Sequence, residues 1–464
     1  MIRRCLAAFL LSAVLFWLGT GLAPIPWLTW LAPLPVLLLA ARVPARTAAL
    51  VAFGAWLFGG LNLWSYLYGS IGLPGPVLAG YLIGLALLFP LAVLLWRALV
   101  VRGRYLLAVV AMPAAWSGAE YLVSLVSPAG AFWSVAYTQT DVAPVRGIAA
   151  VTGMWGISFL VMGASTTAAV AFAPGVRQRL PIAGLGLAFA TVLLACGLWP
   201  APTEPGPTVA LLAIEQSVDS LPVDSVEGDR LLARYADQVR AAGTEVAVLP
   251  EKVFAVDDLP AFTARLAPVA VQSRTDVVVG LVHDGYNSAM LFPADGTTPT
   301  IYHKQHLVPG LEDHLRAGRS SVIVDGRGLV VCKDLDYPTV GREYARRGAR
   351  LVLVPALDFD RDAWLHSRMA IMRGVESGFV VARSADQGYR TLSDARGEVV
   401  LGDRAPLPVG PTPYARLGDW FAWMCLLVAL ATLTRVVRPA GATGTTAATV
   451  GYDRPAGVGV RPRR

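Results

Sequence analysis

Charge is what this chain has least of. Asp, Glu, Lys and Arg make up 15% of its 464 residues, where a soluble protein carries about 25%, which excludes a single water-surrounded globule. The shortage is local. Charged residues are sparse through 1–200, ordinary between 205 and 415, and sparse again in one last apolar run. Cysteine is scarce as well. Cys5, Cys196 and Cys425 lie inside long apolar runs, so Cys332 stands alone in the polar part and no disulfide framework is available. The polar part also lacks a GxSxG elbow, a Walker-type phosphate loop and a GxGxxG fingerprint. These absences argue against a serine esterase, a nucleotide-driven pump and a dinucleotide-dependent enzyme.

What is there first is apolar length. A membrane-spanning helix needs ~20 apolar residues, and eight runs qualify: 5–22, 25–41, 47–68, 76–96, 105–126, 147–173, 180–199 and 418–437. The first could be a signal peptide, with Arg3 and Arg4 before an apolar core. Gly21-Leu22-Ala23 runs straight into Pro24 and the next run, however, so it is read as a retained span. The expected organisation is a membrane domain of seven transmembrane helices (1–200), a soluble domain (201–415), an eighth transmembrane helix (416–438) and a basic, disordered tail (439–464).

The net charge of +7 reports topology rather than nucleic-acid binding. Arg3, Arg4, Arg42, Arg46, Arg97, Arg102, Arg104, Arg177, Arg179, Arg435 and Arg438 all fall in loops of one side, and the alternate loops 69–75 and 127–146 contain only Arg146. Positive residues stay inside, so both termini are expected in the cytoplasm and 201–415 on the outer side. Trp27, Trp30, Trp64, Trp133 and Trp199 near span ends read as interfacial anchors. Glu120 lies within a span, where a carboxylate is costly. It is either a functional group of the membrane domain or a hydrated residue near the outer interface that orders the loop at 127–146.

The polar part alternates strand and helix patterns. Strands are expected at Thr208–Ile214, Glu245–Leu249, Asp276–Val282, Ser288–Phe292, Leu329–Val331, Arg350–Val354, Phe379–Ala382 and Glu398–Leu401. Helices are expected at Asp229–Ala242, Leu259–Gln272, Val340–Arg347 and Arg361–Glu376. The pattern means an α/β domain with a mixed sheet. Three polar residues sit where strands or tight loops end: Glu251 after Val246–Pro250, Lys304, and Cys332 after Gly328–Val331. Each alone reads as an ordinary loop carboxylate, a surface lysine and a core thiol. Together they suit acyl transfer, because a carboxylate can take the thiol proton and an ammonium can stabilise both thiolate and oxyanion.

The flanking residues carry a resemblance. Glu251, Lys304 and Cys332, in that order, resemble the Glu-Lys-Cys triad of the nitrilase (carbon–nitrogen hydrolase) superfamily. The spans, together with Tyr286-Asn287-Ser288, Tyr302-His303-Lys304, His306-Leu307-Val308-Pro309, Glu376-Ser377-Gly378 and Arg383, narrow it further. So do Pro113, Trp116, Glu120 and Gly153–Leu160 in the membrane part. The chain up to about residue 438 resembles the apolipoprotein N-acyltransferase family. That resemblance implies a helical membrane domain carrying an extracytoplasmic α/β nitrilase-like (αββα) sandwich in a bacterial cytoplasmic membrane.

It implies a catalytic triad of Glu251, Lys304 and Cys332, with Glu312 orienting Lys304 or assisting proton transfer. A membrane phospholipid is the implied acyl donor and a diacylglyceryl-modified apolipoprotein the acceptor. No cofactor or metal is implied, and His303, His306 and His314 fall in a family-like loop that needs none. His366 reads as a packing or surface residue, and a monomer is expected. The sequence departs from the family where Lys333-Asp334 replace Tyr-Glu after the cysteine, Lys252 follows Glu251, Gly310-Leu311 precede Glu312, and Leu357-Asp358 replace Asn-Asp. Asp334 keeps a carboxylate, and Lys333 would depress the Cys332 pKa. Two alternatives stay open: a membrane-anchored amidase in which water resolves the acyl-enzyme, and a catalytically silent lipid- or lipoprotein-binding relative.

Overall fold

The computed structural model describes residues 1–437 other than 174–175, 177–178, 198–201 and 215–219. The expected tail at 439–464, Arg177, Arg438, Trp199 and the side chains of Arg179 and Cys196 lie outside the described residues. Among the described residues, six helices are long and apolar enough to cross a membrane: Ile2–Gly19, Ala45–Gly69, Gly75–Val101, Tyr105–Val126, Met154–Ala171 and Trp420–Val437. The run at 180–199 is the helix Arg179–Gly197. The run at 25–41 is helical over Pro26–Leu31 and Leu34–Ala40, with a turn at Ala32-Pro33 between them. Pro33 between them has no N–H to give, and its ring obstructs the preceding turn. The run at 147–173 becomes a continuous helix only at Met154. Before it come two single turns, Ala143–Arg146 and Ala149–Thr152, and then Gly153 at φ +67, where a Cβ would lie 2.5 Å from the Tyr414 ring.

Tyr105–Val126 is the hub of the membrane part. It packs against Leu88–Val101, Met154–Ala171 and Trp420–Val437. Gly118 lets the last of these approach, since a Cβ there would meet the Leu426 side chain at 2.7 Å; small residues at such contacts are how helices associate in lipid. Of the expected tryptophan anchors, Trp27 and Trp64 are exposed. Trp30 instead donates to Gln139 at 2.9 Å, and Trp133 packs edge-on against Trp116.

The soluble part is two mixed sheets face to face with helices outside. One sheet runs Val209–Leu211, Val246–Val248, Asp276–His283, Tyr286–Phe292 and Thr300–His303, with Phe254–Ala255 and then Leu221–Pro222 also joined to Asp276–His283; the other runs Val322–Val324, Arg327–Leu329, Leu351–Leu357, Val380–Asp386 and Thr391–Ser393. Their inner faces bury Val246, Val248, Val278, Leu291, Leu329, Val331, Leu353 and Ala382. Val226–Ala242 and Leu259–Ser273 cover the first sheet, while Pro338–Arg346 and Ala363–Ser377 cover the second. The α/β expectation holds with one local difference. Glu398–Leu401 is no strand, only a bridge from Val399 to Ser393, with the Val400 N–H donating to the Leu392 carbonyl at 2.8 Å.

The first sheet also explains where Glu251 points. Val246–Val248 pairs in parallel with Asp276–Val278, but Phe254–Ala255 takes over the same edge at Leu281–Val282. The chain between them must leave the sheet, and it does so at Leu249-Pro250-Glu251, where the Glu251 N–H donates to Ala356 of the opposite sheet at 3.2 Å. Gly280 makes room: a Cβ there would stand 2.2 Å from the Pro250 carbonyl and 2.5 Å from the Glu251 Cα. Gly280→Ala is therefore expected to cost about 1–3 kcal/mol by overpacking, read as a lower thermal midpoint of the detergent-solubilised protein. An unchanged midpoint would mean that the turn yields freely.

Candidate active site

Three charges meet at the carboxyl ends of the parallel strands, where ligand sites of α/β sheets lie. Lys304, one residue past Thr300–His303, is 1% exposed. Its ammonium donates to Glu251 Oε1 and to Glu312 Oε2, each at 2.8 Å. Both carboxylates are equally buried. Asn287 bridges them with one amide nitrogen, 2.6 Å from Glu251 Oε1 and 2.7 Å from Glu312 Oε1. Glu251 Oε2 accepts from the Leu357 N–H at 3.0 Å, and Glu312 Oε2 from the Val308 N–H at 2.8 Å. Burial alone would lower the Lys304 ammonium, but Glu251 and Glu312 outweigh it and hold its pKa well above the usual lysine value. Burial would likewise raise Glu312, and Lys304 reverses that to hold it below the usual carboxylate range. Lys252 sits over the same pair, 3.8 Å from Glu312 Oε1.

Cys332 opens the 3-10 turn Cys332–Asp336 with φ +38, a left-handed conformation that costs a non-glycine residue roughly 1–3 kcal/mol. Its Sγ lies 3.7 Å from the Leu357 carbonyl, one peptide unit from the N–H that binds Glu251. Burial and then the Glu251 charge push the thiol pKa well above its usual value, while Lys304 and Arg383 pull it back. Lys333, expected to depress this pKa, does share an electrostatic interaction with the thiol. The Lys333 ammonium donates to the Pro128 carbonyl at 2.7 Å and lies 3.8 Å from Asp336. Burial lowers its own pKa, with Asp336 acting against that. Asp334 is fully buried and clamps the lysine loop. It accepts from the Tyr302 hydroxyl at 2.7 Å and from the N–H groups of Gln305 and His306 at 3.1 and 2.8 Å.

Glu120 is not part of this cluster and is buried. At 1% exposure it accepts from Trp116 Nε1 and the Val135 N–H at 3.0 Å each, and from the Ser134 hydroxyl at 2.8 Å and the Ser158 hydroxyl. It fastens the loop at 127–146 to the hub helix. His303 stacks on Tyr286, and His306 Nδ1 lies 2.9 Å from Asp334 Oδ1.

Sequence reasoning missed a second charged group beside the thiol. Arg383 grips both oxygens of Asp358, whose pKa burial would raise but Arg383 holds at about 2. His366, expected as packing or surface, stands 3.4 Å from Asp358 and 3.2 Å from Asp362. Burial would lower its pKa, but Asp362 and Asp358 hold it well above the usual value. Asp362 in turn accepts from Tyr66 at the end of the second long helix. Asp358, Asp362 and His366 are close enough to share a cation, yet Asp358 has given both oxygens to Arg383. The signal in the sequence was four ionisable residues, Asp358, Asp362, His366 and Arg383, around one strand end and one helix start.

Comparison with known proteins fits this geometry. Residues 12–167 match the apolipoprotein N-acyltransferase N-terminal domain, and residues 208–400 match the carbon-nitrogen hydrolase domain. The chain is 28% identical to an apolipoprotein N-acyltransferase of Geobacter metallireducens over 91% of this chain and 94% of that one. It is 26% identical to one of Vibrio vulnificus over 93% and 97%. Saccharomyces cerevisiae Nit3, a solved member of the nitrilase superfamily, aligns with 45% of this chain and 93% of its own at 21% identity and a TM-score of 0.38. With an acyltransferase membrane domain and a carbon–nitrogen hydrolase domain in one chain, matched nearly end to end by such relatives, the protein belongs to the apolipoprotein N-acyltransferases of the nitrilase superfamily.

Proposed function

We propose that this protein N-acylates the N-terminal diacylglyceryl-cysteine of lipoproteins, with a membrane phospholipid as acyl donor and a thioester on Cys332 as intermediate. The observation that carries the reading is the buried Glu251–Lys304–Glu312 cluster beside a thiol that is neutral at rest. Glu251 takes the Cys332 proton as sulfur attacks the ester carbonyl, then returns it to the departing lysophospholipid. The acceptor amine next attacks the thioester, loses its proton to Glu251, and restores the thiol. Lys304 gives two of its three N–H donors to Glu251 and Glu312, leaving the third for the oxyanion. Glu312 keeps Lys304 charged and pointed, and Asp334 keeps its loop against the nucleophile turn. The arginine distribution supports a bacterial inner-membrane setting with both termini cytoplasmic and the thiol on the outer side.

Incubation of the purified protein with phospholipid carrying a labelled acyl chain is expected to give a hydroxylamine-sensitive adduct on Cys332 and none in Cys332→Ala. Folded protein without the adduct would refute the acyltransferase reading and leave the water-resolved amidase or a binding role. Glu312→Gln preserves the shape but removes one countercharge from Lys304, so acyl-enzyme formation should slow by roughly 10-fold or more; an unchanged rate would remove Glu312 from the mechanism. Because the thiol pKa is raised, the thiolate gains population only as pH climbs. Alkylation of Cys332 by iodoacetamide should still be rising at pH ~10, where an ordinary thiol of pKa ~8.5 is almost fully ionised and levels off. A plateau there would contradict the raised value.

A further inference from the structure

The nucleophile turn is gripped from the membrane side by contacts that the mechanism above does not use. Tyr105–Val126 ends two residues before Pro128, so the Pro128 carbonyl lies just past the end of a spanning helix. That carbonyl accepts two hydrogen bonds from the nucleophile segment, from Lys333 Nζ and from the Tyr337 hydroxyl, each at 2.7 Å. The Ala131 N–H returns one to the Asp336 carbonyl at 3.2 Å. Gly130 lies so close that a Cβ would stand 2.7 Å from that same oxygen. Lys333 is mostly buried, with its ammonium over the Tyr337 ring at 5.5 Å and beside Asp336. A cation committed so fully to the Pro128 carbonyl, the Tyr337 ring and Asp336, one residue from the thiol, has a mechanical task.

The geometry points to Lys333 as the positioning residue that docks the outer membrane loop onto the Cys332 turn and so sets the height of the thiol relative to the lipid phase. Lys333 touches no reacting atom; it acts through Pro128 and through the backbone of its neighbour. With the dock intact, a thiol in a strained left-handed conformation faces an ester at headgroup level. With the dock lost, the same thiol is still made but drifts from the bilayer surface. This deepens the reading of Cys332 as the nucleophile and rests on it.

The test compares two reagents on the full-length protein in nanodiscs: a water-soluble maleimide and a maleimide carried on a lipid tail. Labelling at Cys332 is followed by peptide mass spectrometry. Lys333→Met should cut the lipid-tailed rate relative to the water-soluble rate by roughly 10-fold, and Lys333→Arg, which keeps a cationic donor, should restore most of the ratio. If Lys333→Met does not fold, Tyr337→Phe, which removes the other donor to Pro128, should lower the ratio in the same direction by roughly 3-fold. An unchanged ratio overturns the proposal. So does an equal fall in both rates, which would make Lys333 a support for the turn alone. Labelling needs no turnover, so failure of the acyl-transfer reading would appear separately, as a missing acyl adduct in the unaltered protein.

Discussion

A lysine ammonium enclosed by two carboxylates is the constraint on which the rest depends. Burying Lys304, Glu251 and Glu312 is tolerable only while all three stay together, because stripping one partner from a buried ion cluster strands charge at a cost of about 3–5 kcal/mol. That penalty fixes three separate chain segments at one point: the turn leaving Val246–Val248, the end of Thr300–His303, and the loop closing at Glu312. Asn287 and the N–H groups of Leu357 and Val308 take up the remaining carboxylate lone pairs. The same enclosure sets the chemistry proposed for it. A Lys304 held firmly charged is a fixed electrostatic partner, and the proton traffic is left to Glu251 and the thiol.

The Cys332 segment is held from two sides. Asp334 ties its turn to the lysine loop within the soluble domain, and Pro128 ties it to the membrane domain. The network of Asp358, Arg383, His366, Asp362 and Tyr66 repeats the pattern, with one end beside the thiol and the other on a long apolar helix. The site is thus built at a joint between the two parts of the chain.

Much of this was legible beforehand because the signals were strong ones. Apolar length marked the helical part, strand–helix alternation marked the sandwich, and the Glu251, Lys304, Cys332 and Glu312 positions emerged from short segments whose order is specific. What stayed hidden depended on partners far away in sequence. Lys333 beside a cysteine looks like an electrostatic partner and nothing more until the fold supplies the Pro128 carbonyl from more distant chain. His366 on an amphipathic helix looks unremarked until two aspartates close around it. Glu120 offered two readings, and only the fold supplied the four donors that decide its surroundings.

Gly118 and its neighbour Leu426 carry a consequence for assembly. The hub helix is complete early, yet its contact with Trp420–Val437 waits until roughly 300 more residues have been made, several tens of seconds at a typical synthesis rate of ~5–20 residues per second. During that interval one face of the hub is solvated by lipid, and the soluble domain must fold while tethered at one end only. Arrival of the last helix displaces that lipid and closes the chain into a ring-like topology with the catalytic domain held at both ends. In this protein a contact between segments far apart in sequence holds the soluble domain between two membrane helices.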